Sequence, residues 1–111
     1  MKTITYNKLV RDKIPQIIAN SGKECVCETL TDEQYIKMLN EKLQEELNEY
    51  LESGSVEELA DMGEVMHAIL AYKNVGIEEF QKIRLDKLEA RGGFKDRILL
   101  KEVIEIHDTL I

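Results

Sequence analysis

Two pairs of acidic residues are the strongest candidates for chemistry in this sequence. Glu46 and Glu49 are three residues apart, and Glu58 and Asp61 have the same spacing. Residues three apart are neighbours on one side of an α-helix, so each pair presents two carboxylates together. A buried carboxylate without a partner is costly, and four carboxylates that face one another require a cation between them. Because oxygen ligands favour hard ions, the pattern predicts a magnesium site, with manganese as a possible substitute.

The apolar stripes of two predicted helices direct three of these carboxylates inward. On an ideal helix, with about 100° per residue, Glu46 falls within a stripe that begins at Tyr35 and ends at Leu51. Glu58 and Asp61 project among the apolar residues of the following helix. These positions argue against a purely solvated acidic face, which is the usual interpretation of clustered glutamates on a helix.

The N-terminal third of the chain predicts a short helix and an irregular segment. Asn7 or Asp12 is the expected cap of a helix that runs to about Ala19, with Pro15 tolerated in its first turn. Residues 24–30 alternate loosely between polar and apolar types, which predicts one short strand or an extended arm.

Two longer helices follow, and they carry the acidic pairs. Thr31 begins a capped helix that we expect to end near Leu51. Ser55 is the expected cap of the next helix, which runs to about Asn74. Glu58 occupies the capping-box position of this helix, which gives it a competing structural role.

The remaining sequence completes a mostly helical chain. A third long helix is expected from about residue 77 to 90, and residues 98–106 are ambiguous between a short helix and an extended arm. No repeat or linker interrupts the chain. We therefore predict one all-α domain over residues 1–111, an antiparallel helical bundle in which the acidic helices pair across a short turn. Since one helix pair buries its apolar stripes poorly, we expect a homo-oligomer to complete the bundle.

The composition of the chain argues against several kinds of partner and binding site. The 111 residues include 15 Lys and Arg against 22 Asp and Glu, and the resulting net charge of −7 argues against nucleic-acid polymers as partners. Cys25 and Cys27 are too few for a zinc site, and we expect reduced thiols. No segment has the pattern of a signal peptide or a membrane span, so we predict a cytoplasmic location and no membrane partner.

The acidic residues resemble a known motif. Glu45-Glu46-x-x-Glu49 followed by Glu58-Leu59-Ala60-Asp61 resembles the paired acidic motif of the all-α nucleoside triphosphate pyrophosphohydrolases, which include the MazG-like enzymes. The segments 6–15 and 91–94 resemble a small single-domain branch that is often labelled phosphoribosyl-ATP pyrophosphohydrolase-like. The resemblance covers nearly the whole chain.

This resemblance implies a ligand set and a reaction. The implied magnesium ligands are Glu46, Glu49, Glu58 and Asp61. The implied reaction cleaves a nucleoside triphosphate between its α and β phosphates, which gives a nucleoside monophosphate and pyrophosphate. The family also implies a homodimer or homotetramer. The alternatives are a phosphoribosyl-ATP pyrophosphohydrolase and a non-catalytic helical dimerisation module.

Three acids receive more specific roles. Glu49 lies furthest from the apolar face among the four implied ligands, so it is the candidate for the base that orients the attacking water. Glu64 lies beyond Asp61 in the same row, and Glu45 precedes Glu46. Both are candidates for acids that support the metal ligands.

Several cationic and polar residues are candidates for binding the nucleotide. A triphosphate keeps negative charge even when it carries magnesium, and Arg or Lys side chains bind such charge. Ordinary surface charge is the alternative for each of these side chains. The predicted substrate contacts are Asn7, Lys8, Arg11 and Arg91.

Overall fold

The computed structural model describes residues 1–107 and contains helices without strands in that range. The chain divides into two units, Met1–Ile77 and Glu78–Ile111. The all-α class is therefore confirmed, whereas the single domain over residues 1–111 remains a prediction whose last four residues lie outside the described range. The helices are α1 (Ile14–Asn20), α2 (Asp32–Ser53), α3 (Val56–Tyr72) and α4 (Ile77–Arg91).

Helices α2 and α3 form an antiparallel hairpin in the first unit. Only Gly54 and Ser55 separate the end of α2 from the start of α3. At the open end of the hairpin, Tyr35 contacts Tyr72 edge to face, with ring centroids 6.1 Å apart. The start of one helix therefore packs against the end of the other, which confirms the predicted antiparallel pairing.

Side chains and one glycine fix the ends of these helices. Thr31 and Gln34 form a complete capping box at the start of α2, as the sequence predicts. Gly54 ends α2 in the left-handed region with φ +67°, which favours glycine because other side chains are strained there. Ser55 then caps α3 by accepting a hydrogen bond from the backbone N–H of Glu57.

The competing structural role predicted for Glu58 is not observed. The Ser55 backbone N–H, which a capping box would direct to Glu58, donates to the Ser53 hydroxyl at 3.2 Å. The Ser55 hydroxyl accepts from Glu57 instead of from Glu58. Because local partners satisfy the cap, the Glu58 carboxylate is available to the face between α2 and α3.

The N-terminal helix differs from its prediction at the cap. Lys13 is the N-cap of α1 and makes no side-chain capping bond, so the prediction of Asn7 or Asp12 as the cap was wrong. The reason is a turn that precedes the helix, in which the Arg11 carbonyl accepts a hydrogen bond from the N–H of Ile14 at 3.0 Å. Pro15 lies in the first turn of the helix, as predicted.

Two segments form neither helix nor strand. Residues 24–30 have no strand partner in the described part of the chain, so of the two predicted alternatives the short strand was wrong and the extended arm is left. Cys25 and Cys27 in this segment are exposed free thiols. In the second unit α4 ends at Arg91, and residues 98–107 contain no regular structure. No helix in the described part has the length and apolar character needed to cross a membrane.

Very little of the chain is buried. Among the described residues only Leu39 and Glu46 are buried, with 3% and 6% of their surface exposed. A carboxylate is thus as well shielded from water as the one buried apolar side chain, and both belong to α2. Since charged residues are seldom buried without partners, the surroundings of the Glu46 carboxylate need an explanation.

Candidate metal centre

Three carboxylates from the two hairpin helices converge. Glu46 of α2 meets Glu58 and Asp61 of α3, and each of the three offers one oxygen within 4.8 Å of the others. These are the three carboxylates that the apolar stripes direct inward. One turn of α3 separates Glu58 from Asp61, so both reach the same point on α2. The hairpin therefore builds an all-oxygen cluster from residues in separate helices.

Two oxygens of this cluster have no hydrogen-bond partner. Oε2 of Glu46 and Oε2 of Glu58 are both shielded from solvent and accept no hydrogen bond. An unpaired buried polar atom is costly, and the cost is greatest when the group is ionised. A hard divalent cation is the chemical match, because it binds carboxylate oxygens and cancels their repulsion. The residues present thus fit a hard divalent cation, the class to which magnesium belongs.

The mutual effects of the carboxylates agree with this interpretation. Burial raises the pKa of Glu46 above its ordinary range, and the charge of Glu49 raises it further. Removal from water also raises the pKa of Glu58, again followed by the charge of Glu49. The charge of Glu49 therefore raises the pKa of a carboxyl group on each helix, although Glu49 is not one of the three carboxylates that converge.

Lys42 is a site residue that the sequence analysis missed. Its Nζ lies 3.5 Å from Oε1 of Glu46 and 3.6 Å from Oε2 of Glu45. A lysine four residues before a buried glutamate lies on the same helix face, and this spacing was the available signal. Lys42 contacts Glu46 on the oxygen opposite the unpaired Oε2, so one face of that carboxylate stays free.

Two residues that were predicted to contact the substrate form ion pairs with carboxylates of α2 and α3. Lys8 donates to Oε1 of Glu45 at 3.0 Å, and Arg11 donates to Oδ1 of Asp61 at 2.7 Å. The hydrogen bond from Lys8 lowers the pKa of Glu45 and exceeds the opposing effect of burial, with help from the charge of Lys42. The N-terminal segment is thereby attached to both α2 and α3.

A cleft of about 540 Å³ adjoins the carboxylates. Its walls come from the N-terminal segment, from α1 and from the facing sides of α2 and α3. Glu46, Asp61 and the predicted Glu64 lie in its lining together with Arg11 and Lys42. The apolar part of the lining consists of Leu9, Val10, Ile14, Ile17, Tyr35, Leu39, Val65 and Ala68.

The structure does not test the predicted roles of the other substrate contacts. Asn7 is exposed and has φ +48°, in the left-handed region. Arg91 ends α4, in the other unit, so its predicted role stays a prediction. Glu45 adjoins the cluster through Lys42, which is compatible with its expected supporting position.

Comparison with known proteins finds a partial sequence match. No family model matches the chain, and no solved structure matches it. An uncharacterized protein of Mycolicibacterium smegmatis (strain ATCC 700084 / mc(2)155) is 48% identical over 42 residues. The aligned stretch covers 38% of this chain and 43% of that relative, so the chain spans less than half of the relative's length.

The raised pKa of Glu46 predicts how metal-free stability depends on pH. A carboxyl group whose pKa is higher in the folded state favours folding while protonated, and this contribution is lost as pH rises from about 4.3 through the raised pKa. Glu46→Gln keeps a neutral side chain at every pH. We expect this variant to melt at a higher temperature than the parent at neutral pH, with the difference shrinking toward pH 4.

Thermal unfolding in the presence of a chelator measures this effect. Glu41→Gln is the matched control, because Glu41 is an exposed glutamate of the same helix. The control variant should follow the parent across the pH range. A Glu46→Gln protein that is less stable than the parent at neutral pH would contradict the assignment of a strained carboxylate.

Proposed function

We propose that this protein is a magnesium-dependent nucleoside triphosphate pyrophosphohydrolase. The reaction cleaves the bond between the α and β phosphates and releases a nucleoside monophosphate and pyrophosphate. The observation that carries the proposal is the pair of shielded, unpartnered oxygens of Glu46 and Glu58 beside Asp61. The resemblance of the acidic motif to the MazG-like enzymes supplies the reaction class.

The carboxylates have separate roles in this proposal. Glu46, Glu58 and Asp61 hold magnesium, and Glu49 serves as a fourth ligand or as the base that orients the attacking water. When bound, magnesium neutralises charge on phosphate oxygens as the transition state forms. The position of Glu49 beside both helices' ligands supports its role, because its charge acts on Glu46 and on Glu58.

The cleft provides a place for the rest of the nucleotide. Its apolar walls suit a base or sugar face, and its lining includes the proposed metal ligands Glu46 and Asp61. Arg11 is part of the lining, and Lys8 is three residues before it. Both are the proposed contacts for phosphate oxygens. A cytoplasmic location belongs to the same proposal.

Exposed apolar side chains on the hairpin support a homo-oligomer. We propose at least a dimer in which α2 and α3 pair with the same helices of a second copy and form a four-helix bundle. This observation would equally suit a helical dimerisation module without catalysis, which is the second candidate. The exposed large apolar residues of the hairpin are Leu51, Val56, Leu59, Met66 and Tyr72.

The reaction can be tested with a panel of nucleoside triphosphates and purified protein in magnesium. We expect pyrophosphate as the product, measured separately from orthophosphate. Glu58→Gln and Asp61→Asn should each lower kcat/KM by at least about a hundredfold, since each removes a proposed ligand, and a hundredfold corresponds to about 2.7 kcal/mol of barrier. Glu57→Gln, which changes an exposed neighbour on α3, is the control and should retain activity.

Three results would count against this assignment. Activity within about threefold of the parent in both ligand variants would show that the site is misassigned. Release of orthophosphate would show that the cleavage position is wrong. Absence of hydrolysis across the panel would favour the dimerisation module.

Sedimentation at micromolar concentration tests the proposed assembly. We expect a species of at least twice the chain mass of 12.8 kDa, because pairing of hairpins removes the exposed apolar side chains from water. Leu59→Glu should shift the species toward the monomer, while Glu57→Gln should leave it unchanged. A stable, active monomer would rule out this architecture.

A further inference from the structure

Arg11 forms the shortest contact between the N-terminal segment and a proposed metal ligand. Its Nη2 lies 2.7 Å from Oδ1 of Asp61, a residue 50 positions further along the chain. The other two members of the cluster differ in this respect. Glu46 has Lys42 at 3.5 Å on Oε1, while Oε2 of Glu46 and Oε2 of Glu58 have no partner. Asp61 is therefore the ligand that already holds a closely bound cation.

We propose that Arg11 is an exchange residue, which neutralises Asp61 in the metal-free protein and transfers to a phosphate group of the bound nucleotide when Asp61 binds magnesium. This inference rests on the proposed function. It adds a coupling between the binding of the metal ion and the binding of the nucleotide phosphate at the same site. It gives Arg11 a role in controlling when the metal binds, beyond contact with substrate.

The exchange follows from the charges in the cleft. A guanidinium and a divalent cation repel each other when they share one carboxylate, so metal that binds alone must weaken the contact between Arg11 and Asp61. A metal that arrives with a triphosphate brings a new acceptor for the guanidinium. Arg binds phosphate through paired hydrogen bonds, and both Arg11 and Asp61 lie in the lining of one cleft. Every charge then keeps a partner of opposite sign.

This arrangement makes binding of metal and phosphate cooperative. By linkage, if phosphate removes the competitor of the metal, the metal equally improves binding of phosphate. The coupling is modest because the side chains of Arg11 and Asp61 are 57% and 41% exposed. Exposed pairs of this kind change an equilibrium constant by about two- to fivefold.

Lys8 provides a contrast within the same segment. It donates to Glu45, which is outside the closest group of three carboxylates. Metal binding to Glu46, Glu58 and Asp61 therefore does not require Lys8 to release its partner. Arg11 and Lys8 thus differ in their expected effect on metal affinity, although both are exposed cations of the N-terminal segment.

Calorimetric titration of Arg11→Gln with Mn²⁺ tests the exchange. With Mn²⁺ alone, we expect the dissociation constant to fall about two- to fivefold relative to the parent, because the competing cation is gone. With the preformed complex of Mn²⁺ and tripolyphosphate, we expect the dissociation constant to rise, because the phosphate contact is lost. A merely structural role would not move the two affinities in opposite directions.

Control variants separate the exchange from general charge effects. Lys37→Gln removes one positive charge from an exposed position of α2 that is not in the cleft lining, and it should change neither affinity. Lys8→Gln should weaken the complex with tripolyphosphate and improve binding of Mn²⁺ alone by less than Arg11→Gln does. Arg11→Lys keeps the charge and loses the planar fork, so it should weaken binding of the complex and leave Mn²⁺ affinity closer to that of the parent.

The outcomes distinguish this inference from the proposed function. A parent protein that binds no Mn²⁺ overturns both. If the parent binds Mn²⁺ but Arg11→Gln leaves the metal-alone affinity unchanged or weaker, the exchange is overturned and the metal site stands. If the metal-alone affinity improves without any loss of affinity for the complex, Arg11 is only a competitor and the exchange is again overturned. Should Arg11→Gln fail to fold, the same comparison is made with Arg11→Ala, which also removes the competing positive charge.

Discussion

The repulsion between the buried carboxylate of Glu46 and the partly exposed carboxylates of Glu58 and Asp61 on the facing helix is the constraint on which this structure depends. The hairpin of α2 and α3 places Glu46 against Glu58 and Asp61, in a position where solvent does not reach all of their oxygens. Such an arrangement opposes folding unless cations compensate it. Residues 1–107 bury almost no apolar side chains that could offset this cost, which is why the cluster is the candidate functional site.

Three cationic side chains partly neutralise the carboxylates in and beside the cluster. Lys42 reaches one oxygen of Glu46, Arg11 holds Asp61, and Lys8 holds Glu45. These contacts reduce the charge around the cluster and leave Oε2 of Glu46 and Oε2 of Glu58 without a partner. The N-terminal segment thus contributes to the electrostatics of the hairpin as well as to the walls of the cleft.

Helical periodicity predicted the centre of the site, and long-range pairing explains what it missed. The inward direction of three carboxylates was predicted from their angular positions, because burial on a helix repeats with a fixed period. They are those of Glu46, Glu58 and Asp61. The ion pair between Arg11 and Asp61 was not predicted, because contact between residues 50 positions apart depends on tertiary packing. Local rules also failed at the start of α1, where two plausible capping residues were available and the chain used neither. The contact between Lys42 and Glu46 could have been predicted locally, because residues four apart lie on the same face of a helix.

Thermal unfolding of the parent and of Glu46→Gln, each with a chelator and with increasing magnesium, tests the central claim most directly. If the carboxylates form a metal site, the melting temperature of the parent rises with magnesium, because a ligand that binds only the folded state stabilises it. The Glu46→Gln protein, which has lost a ligand, should show no comparable rise. An equal rise in both proteins, or no rise in the parent, would contradict the account.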